Sequence, residues 1–96
     1  MEKLEIVPAT DGKHKWVAIF TKPDGTVRRT RFGAKGYEDL TIHRNRFRAT
    51  LYRLRHQRRE NWLDPYSAGS LAWNLLWASP NFNINIRRFK NRFGFE

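Results

Sequence analysis

The sequence predicts an α+β fold: a three-stranded antiparallel β-meander followed by three α-helices, in a single small domain spanning residues 1–96. Three observations carry this expectation. Residues 15–22 alternate side chains in the period of a strand and lie between two turn signals. Residues 64–77 are apolar around most of a helical girth, the pattern of a helix buried at the centre of a domain. After residue 43 the apolar spacing becomes three or four and stays so to residue 93.

Taken in order, Leu4 and Ile6 mark a short strand that ends at Pro8, and Thr10-Asp11-Gly12-Lys13 is a turn. Between Lys15 and Lys22, Trp16, Ala18 and Phe20 point one way and Val17, Ile19 and Thr21 the other. Both sets are largely apolar, so this strand is expected at the centre of the sheet, with Trp16 and Phe20 facing the helices together. Pro23-Asp24-Gly25 turns the chain, because proline presets the second turn position and glycine accepts positive φ. Val27 to Phe32 is the third strand and carries Arg28, Arg29 and Arg31, and the meander is taken to run to residue 34.

Residues 35–43 form a connection. Gly33 and Gly36 flank Ala34-Lys35, an arrangement that either offers backbone N–H groups and Lys35 to a phosphate or supplies the φ freedom needed between sheet and helix. Asp39 and Thr41 are candidate caps. Residues 44–59 then form a basic helix in which seven of sixteen residues are arginine and none is acidic. Phe47, Leu51 and Leu54 fall on one face, expected to pack inward, and Arg44, Arg48, Arg55 and Arg59 form an adjacent stripe around Tyr52. Arg46 and Arg53 project from the far side. Like charges four apart destabilise an isolated helix, so the stripe points either to a polyanion or to pairing with Glu38, Asp39, Glu60 and Asp64.

Residues 64–77 are the core helix, with Asp64 as cap and Pro65 in its first turn, and Trp73, Leu75 and Leu76 are expected to be largely buried. Residues 80–93 are the last helix, capped by Ser79 and stopped by Gly94. Its Phe82, Ile86, Phe89 and Phe93 should pack on the core helix, leaving Arg87, Arg88, Lys90 and Arg92 outside.

The totals narrow the function. The formal net charge is +10, and it is uneven. Residues 1–43 hold eight Lys or Arg against six Asp or Glu, whereas residues 44–96 hold eleven against three. An arginine-rich, acid-poor half implies a polyanionic partner: nucleic acid, an anionic membrane surface or an acidic protein. There are no cysteines, and His14, His43 and His56 lie far apart, so neither a metal site nor a cofactor is expected. Catalysis by acid–base or metal chemistry needs clustered carboxylates and histidines; Glu38, Asp39 and His43 come nearest, and no second cluster joins them, so a non-enzymatic protein is expected. The short, charged start MEKLEIVP does not read as a secretory signal, which suggests a protein inside a cell or a particle.

FTKPDGTVRRTRFGAKGYEDLTIH, RENWLDPYSAG, LLW and the closing FKNRFGF resemble a family of small basic proteins encoded by large DNA viruses of algae and protists. The likeness runs from about Trp16 to Phe93 and rests on FGAKGYxDxTIH, RENWxDPxxAGxL and the final RF. It implies a viral source and a one-domain unit, located in the virion or in the infected host cell, cytoplasm or nucleus. It implies no reaction and no catalytic residues. The chain departs from the family pattern after His43, where its segment is richer in arginine.

Two roles follow. The first is nucleic-acid binding, to DNA foremost, through phosphate contacts that are tolerant of sequence and sensitive to salt, as genome packaging requires. Its expected residues are Arg44, Arg48, Tyr52, Arg55 and Arg59, with Arg28, Arg29, Arg31, Lys35, Arg87 and Arg88 as further phosphate contacts. In a variant of this idea the basic sheet enters a groove. The second role is a minor capsid or cement protein that meets capsid proteins or an anionic inner membrane surface, with Tyr37, Tyr66 and Phe95 as exposed apolar anchors. The sequence leaves the oligomeric state open.

Overall fold

A computed structural model describes residues 1–56 and 63–96. The sheet has the expected topology: β1 (Lys3–Pro8), β2 (His14–Thr21) and β3 (Val27–Ala34) run antiparallel in the order β1-β2-β3. Each turn is held by an aspartate that accepts backbone N–H groups. Asp11 Oδ1 accepts from Lys13 and His14 at 2.9 and 3.0 Å, and Asp24 Oδ1 accepts from Thr26 at 2.9 Å. Gly25, at φ 90°, donates to the Lys22 carbonyl and closes the second turn.

The register sets Leu4 beside Phe20 and Phe20 beside Arg28, then Ile6, Ala18 and Thr30, then Pro8, Trp16 and Phe32. These rows share one face, and that face carries the helices. Trp16 stacks on Phe82 at 4.7 Å between ring centroids, and Phe20 meets Tyr66 at 4.7 Å and Phe95 at 5.2 Å. Trp16 and Phe20 therefore face the helices together, as the alternation predicts.

Four helices follow: α1 (Leu40–His43), α2 (Arg46–His56), α3 (Ala68–Leu76) and α4 (Phe82–Phe93). The one-turn α1 lies inside the stretch expected to be irregular. Asp39 caps it by accepting from the Thr41 N–H and hydroxyl, and Arg44 ends it in the left-handed region at φ 58°, donating its N–H to Leu40. Helix α2 consequently starts at Arg46 rather than Arg44, because Asn45 Oδ1 accepts from the N–H groups of Phe47 and Arg48. The expected remainder of this helix, Arg59 included, lies outside the described residues, as do Glu60 and Trp62.

The core helix also starts later than predicted. Ser67, not Asp64, caps α3, its Oγ accepting from Ser70 N–H, while Asp64 Oδ1 is taken by Tyr66 N–H in the preceding turn. Similarly, Asn81 rather than Ser79 caps α4, by accepting from Ile84 N–H, and Gly94 ends that helix as expected with its N–H on Lys90.

Leu71, Leu75 and Leu76 of α3 and Phe89 of α4 close the core over Leu4, Ala18, Phe20 and Phe32, with Phe82, Ile86 and Phe93 packed around them. Trp73 departs from expectation: it is half-buried and carries the Arg53 guanidinium 5.8 Å from its ring centroid. Phe95, expected outside, is a core residue, and Tyr66, also expected outside, is partly buried against the core. Phe95 is held there by the pairing of the next residue with β1 and the residue before that strand, since Leu4 N–H donates to Glu96 O and Glu96 N–H to Glu2 O, both at 2.9 Å. That pairing also covers the β1 edge.

Candidate functional site

The basic helix packs the opposite way round from its predicted orientation. Phe47, Leu51 and Leu54 are 71, 42 and 58 % exposed, so the expected inward face looks out. Buried Ala49 and half-buried Tyr52, Arg53 and His56 face the domain instead. The Tyr52 ring lies between two partners, parallel to Trp77 at 4.2 Å and stacked with His56 at 4.1 Å. Arg53 donates from Nη2 to the carbonyls of Trp77 and Ala78, at 2.5 and 2.9 Å, where α3 has run out of intrahelical partners. The arginine assigned to the far side thus fastens α2 to the core. Nothing in the sequence sets it apart from its six neighbours.

This orientation divides the predicted stripe. Arg48 and Arg55 line a cleft of about 370 Å³ with Lys15, Tyr37, Tyr52 and Trp77, and Arg48 Nη1 donates to Glu38 at 3.0 Å. Arg44, lying before the helix, is not in that row. It lines a second, open groove of about 440 Å³ together with Arg46 and Arg88. These three come from the end of α1, the start of α2 and the middle of α4. All three are exposed, and none makes an ion pair among the described residues. Ser79, Pro80 and Asn81, the turn into α4, form the floor. Arg46 was not among the expected contacts; its convergence with Arg88 depends on the α2 orientation, which periodicity does not set.

The remaining candidates scatter. Arg28 sits on the helix-covered face of the sheet, its guanidinium 4.7 Å from the centroid of the Tyr66 ring. Arg29 and Arg31 point from the open face, and Arg31 Nε approaches Asp11 Oδ2 at 3.5 Å. The three do not form one row, since Arg28 lies on the opposite face from Arg29 and Arg31. Lys35 is exposed in a different groove, beside His14 and Thr41, and its backbone N–H is spent on Lys13 O at 3.0 Å; the N–H of Tyr37 is on Ala34 O. The glycine pair is thus a structural link and not a phosphate nest. Gly33, at φ 77°, lets β3 pass close to Leu76, where a Cβ would come within 3.0 Å. Arg87 is exposed on α4 one position from Arg88, so it points away from the groove that Arg88 lines.

The nearest catalytic candidates are used structurally. Asp39 is buried, and its Oδ2 accepts from Lys15 Nζ at 2.6 Å while Oδ1 caps α1. Glu38 pairs with Arg48 at the surface. His43 Nδ1 accepts from Asn45 N–H, and its ring meets Trp77. Among the described residues no group of three or more His, Cys, Asp or Glu is placed to hold a metal ion, and no helix is long and apolar enough to cross a membrane. A buried bracket went unread in the sequence: Asn85 Nδ2 donates to Leu75 O and Ser79 O, at 2.8 and 2.9 Å, and joins α3 to α4 beneath the groove.

Residues 4–56, more than half of the chain, match the model of a family of unknown function, DUF5754. No curated protein and no solved structure matches the chain.

Proposed function

We propose that the chain, which belongs to the DUF5754 family, is a non-enzymatic nucleic-acid-binding protein that grips phosphates in the groove of Arg44, Arg46 and Arg88. The observation that carries this reading is the convergence on one open groove of three guanidiniums, from three separate elements, that make no ion pair among the described residues. Arginines with no acid to pair with repel one another, and a phosphate relieves that repulsion while accepting their fork-shaped donors. Such contacts carry no base information, so binding should be sequence-tolerant and should fall steeply with salt. DNA is the first partner to test. The likeness to virus-encoded basic proteins is in keeping with a role in genome packaging, inside the virion or the infected cell.

The reading as a minor capsid or cement protein has less support. Of the three aromatic anchors it would use, Phe95 belongs to the core, Tyr66 is partly buried against it, and Tyr37 alone is exposed.

The test is duplex-DNA affinity across a salt series for wild type and for the Arg46→Gln/Arg88→Gln variant. Each phosphate contact contributes about 0.9 to the slope of log affinity against log salt. The double variant should lose roughly 2 from that slope and bind unrelated sequences more weakly to the same degree. An unchanged slope would remove the groove from the site.

A further inference from the structure

The outward face of α2 is the largest feature that the groove does not use. Phe47, Leu51 and Leu54, at i, i+4 and i+7, make an exposed apolar stripe about 10 Å long at the rise of a helix. An apolar row rimmed by polar residues marks a surface that something covers. The rim here is cationic. By helical angle Arg55 and Arg48 border the stripe on one side, both exposed, and α2 contains no acidic residue. The Arg48–Glu38 pair is half exposed at both ends and yields readily to a stronger anion.

The charge selects the occupant. A second copy would set one arginine-lined stripe against another, in a chain of formal net charge +10. The stripe also stands proud: the clefts on its two flanks are lined by other residues, so it presents a ridge and not a socket. A ridge of Phe and Leu with guanidiniums at its border suits a soft, anionic, apolar-centred phase. In such a phase the apolar side chains enter the acyl boundary, and long arginine stems keep their charge among the headgroup phosphates.

We infer that α2 is a membrane-surface helix that docks on an anionic phospholipid bilayer through Phe47, Leu51 and Leu54, with Arg48 and Arg55 on headgroup phosphates. This surface is separate from the groove of Arg44, Arg46 and Arg88, so one chain can hold a bilayer and a nucleic acid at once.

Vesicle co-flotation tests it, with phosphatidylcholine alone and with added phosphatidylserine, using the whole chain. Wild type should float with the anionic vesicles and not with the neutral ones. Phe47→Ser/Leu51→Ser should lower partitioning about tenfold or more while leaving the thermal melt and the duplex-DNA salt slope unchanged, because both side chains are exposed. Arg48→Gln/Arg55→Gln should abolish the preference for anionic vesicles. Three results would overturn the inference: no flotation of wild type; flotation that survives the Phe47/Leu51 change, which would mean charge alone; or a wild-type dimer that Phe47→Ser/Leu51→Ser converts to monomer, which would mean a second copy covers the stripe.

Discussion

The Arg53 guanidinium donates to the Trp77 carbonyl at 2.5 Å, so the end of α3 is capped by a side chain from α2. The same group reaches Ala78 O and lies over the Trp73 ring. A cation at a helix C-terminus is favourably placed against the helix dipole, and here it also satisfies two carbonyls that would otherwise need water. Arg53→Met should therefore lower stability by about 1.5–3 kcal/mol, the range for hydrogen bonds to a charged group. Arg55→Gln, two residues on and exposed, should change it by less than about 0.5 kcal/mol. Urea unfolding of the two variants measures the contrast.

Arg44 offers a clean way to remove a charge. It occupies the left-handed region as the cap of α1, a conformation that glycine adopts without steric penalty. Arg44→Gly should leave stability unchanged or slightly raised, yet flatten the salt slope of DNA binding by about 0.9. A loss of both together would mean that the arginine serves the fold.

Lys15 and Asp39 form the least exposed ion pair of the described residues, with side chains 16 and 3 % exposed. Lys15→Met strands a buried carboxylate and should cost about 3–5 kcal/mol. Asp39→Asn keeps an oxygen for the α1 cap, and the Lys15 ammonium that it leaves without a counter-ion is the more exposed partner and lines an open cleft, so the change should cost less. Chemical denaturation of both variants ranks them.

Tyr66 gives a pH-dependent signature. Its phenol is raised above the ordinary value of 10.0, first by burial and then by its hydrogen bond to Glu2, at 2.8 Å. A raised value means that the fold favours the protonated phenol. That contribution is complete below the unfolded-state value and is lost as pH climbs through the folded one. Phenolate absorbance against pH should contain a step above the ordinary tyrosine range, and Tyr66→Phe should delete that step.

The sheet was legible because two independent signals agree on it, side-chain alternation and turn residues with a mechanism. Both Asp-Gly turns and the helix-facing row of Trp16 and Phe20 appear as read. The three longer helices were legible in order, but their starts were not, and the one-turn α1 went unread. Asp64 and Ser79 are chemically fit to cap, yet Ser67 and Asn81, two or three residues on, do so. Orientation was the larger gap. The spacing of Phe47, Leu51 and Leu54 reveals a stripe and cannot tell whether it faces inward or outward. What decides is the fit of Ala49, Tyr52 and Arg53 against Trp77 and the end of α3, a tertiary match invisible to periodicity. Arg44 caps α1 and lies before α2, so the predicted stripe does not hold together as one row.

The backbone link between Leu4 and Glu96 bears on how the protein comes into being during synthesis. The apolar face of the meander is complete once β3 has left the ribosome, but the side chains that cover it, from Leu71 to Phe95, are made later. Contacts of such sequence separation form slowly, and until they form the sheet presents bare Phe20 and Phe32 to its surroundings. Residues 4–56, the stretch that the family model matches, thus lack the side chains that cover this apolar face in the whole domain. Nascent chains halted before α4 should be bound by chaperones or degraded, and the domain should close only after α4 and Phe95 have been made.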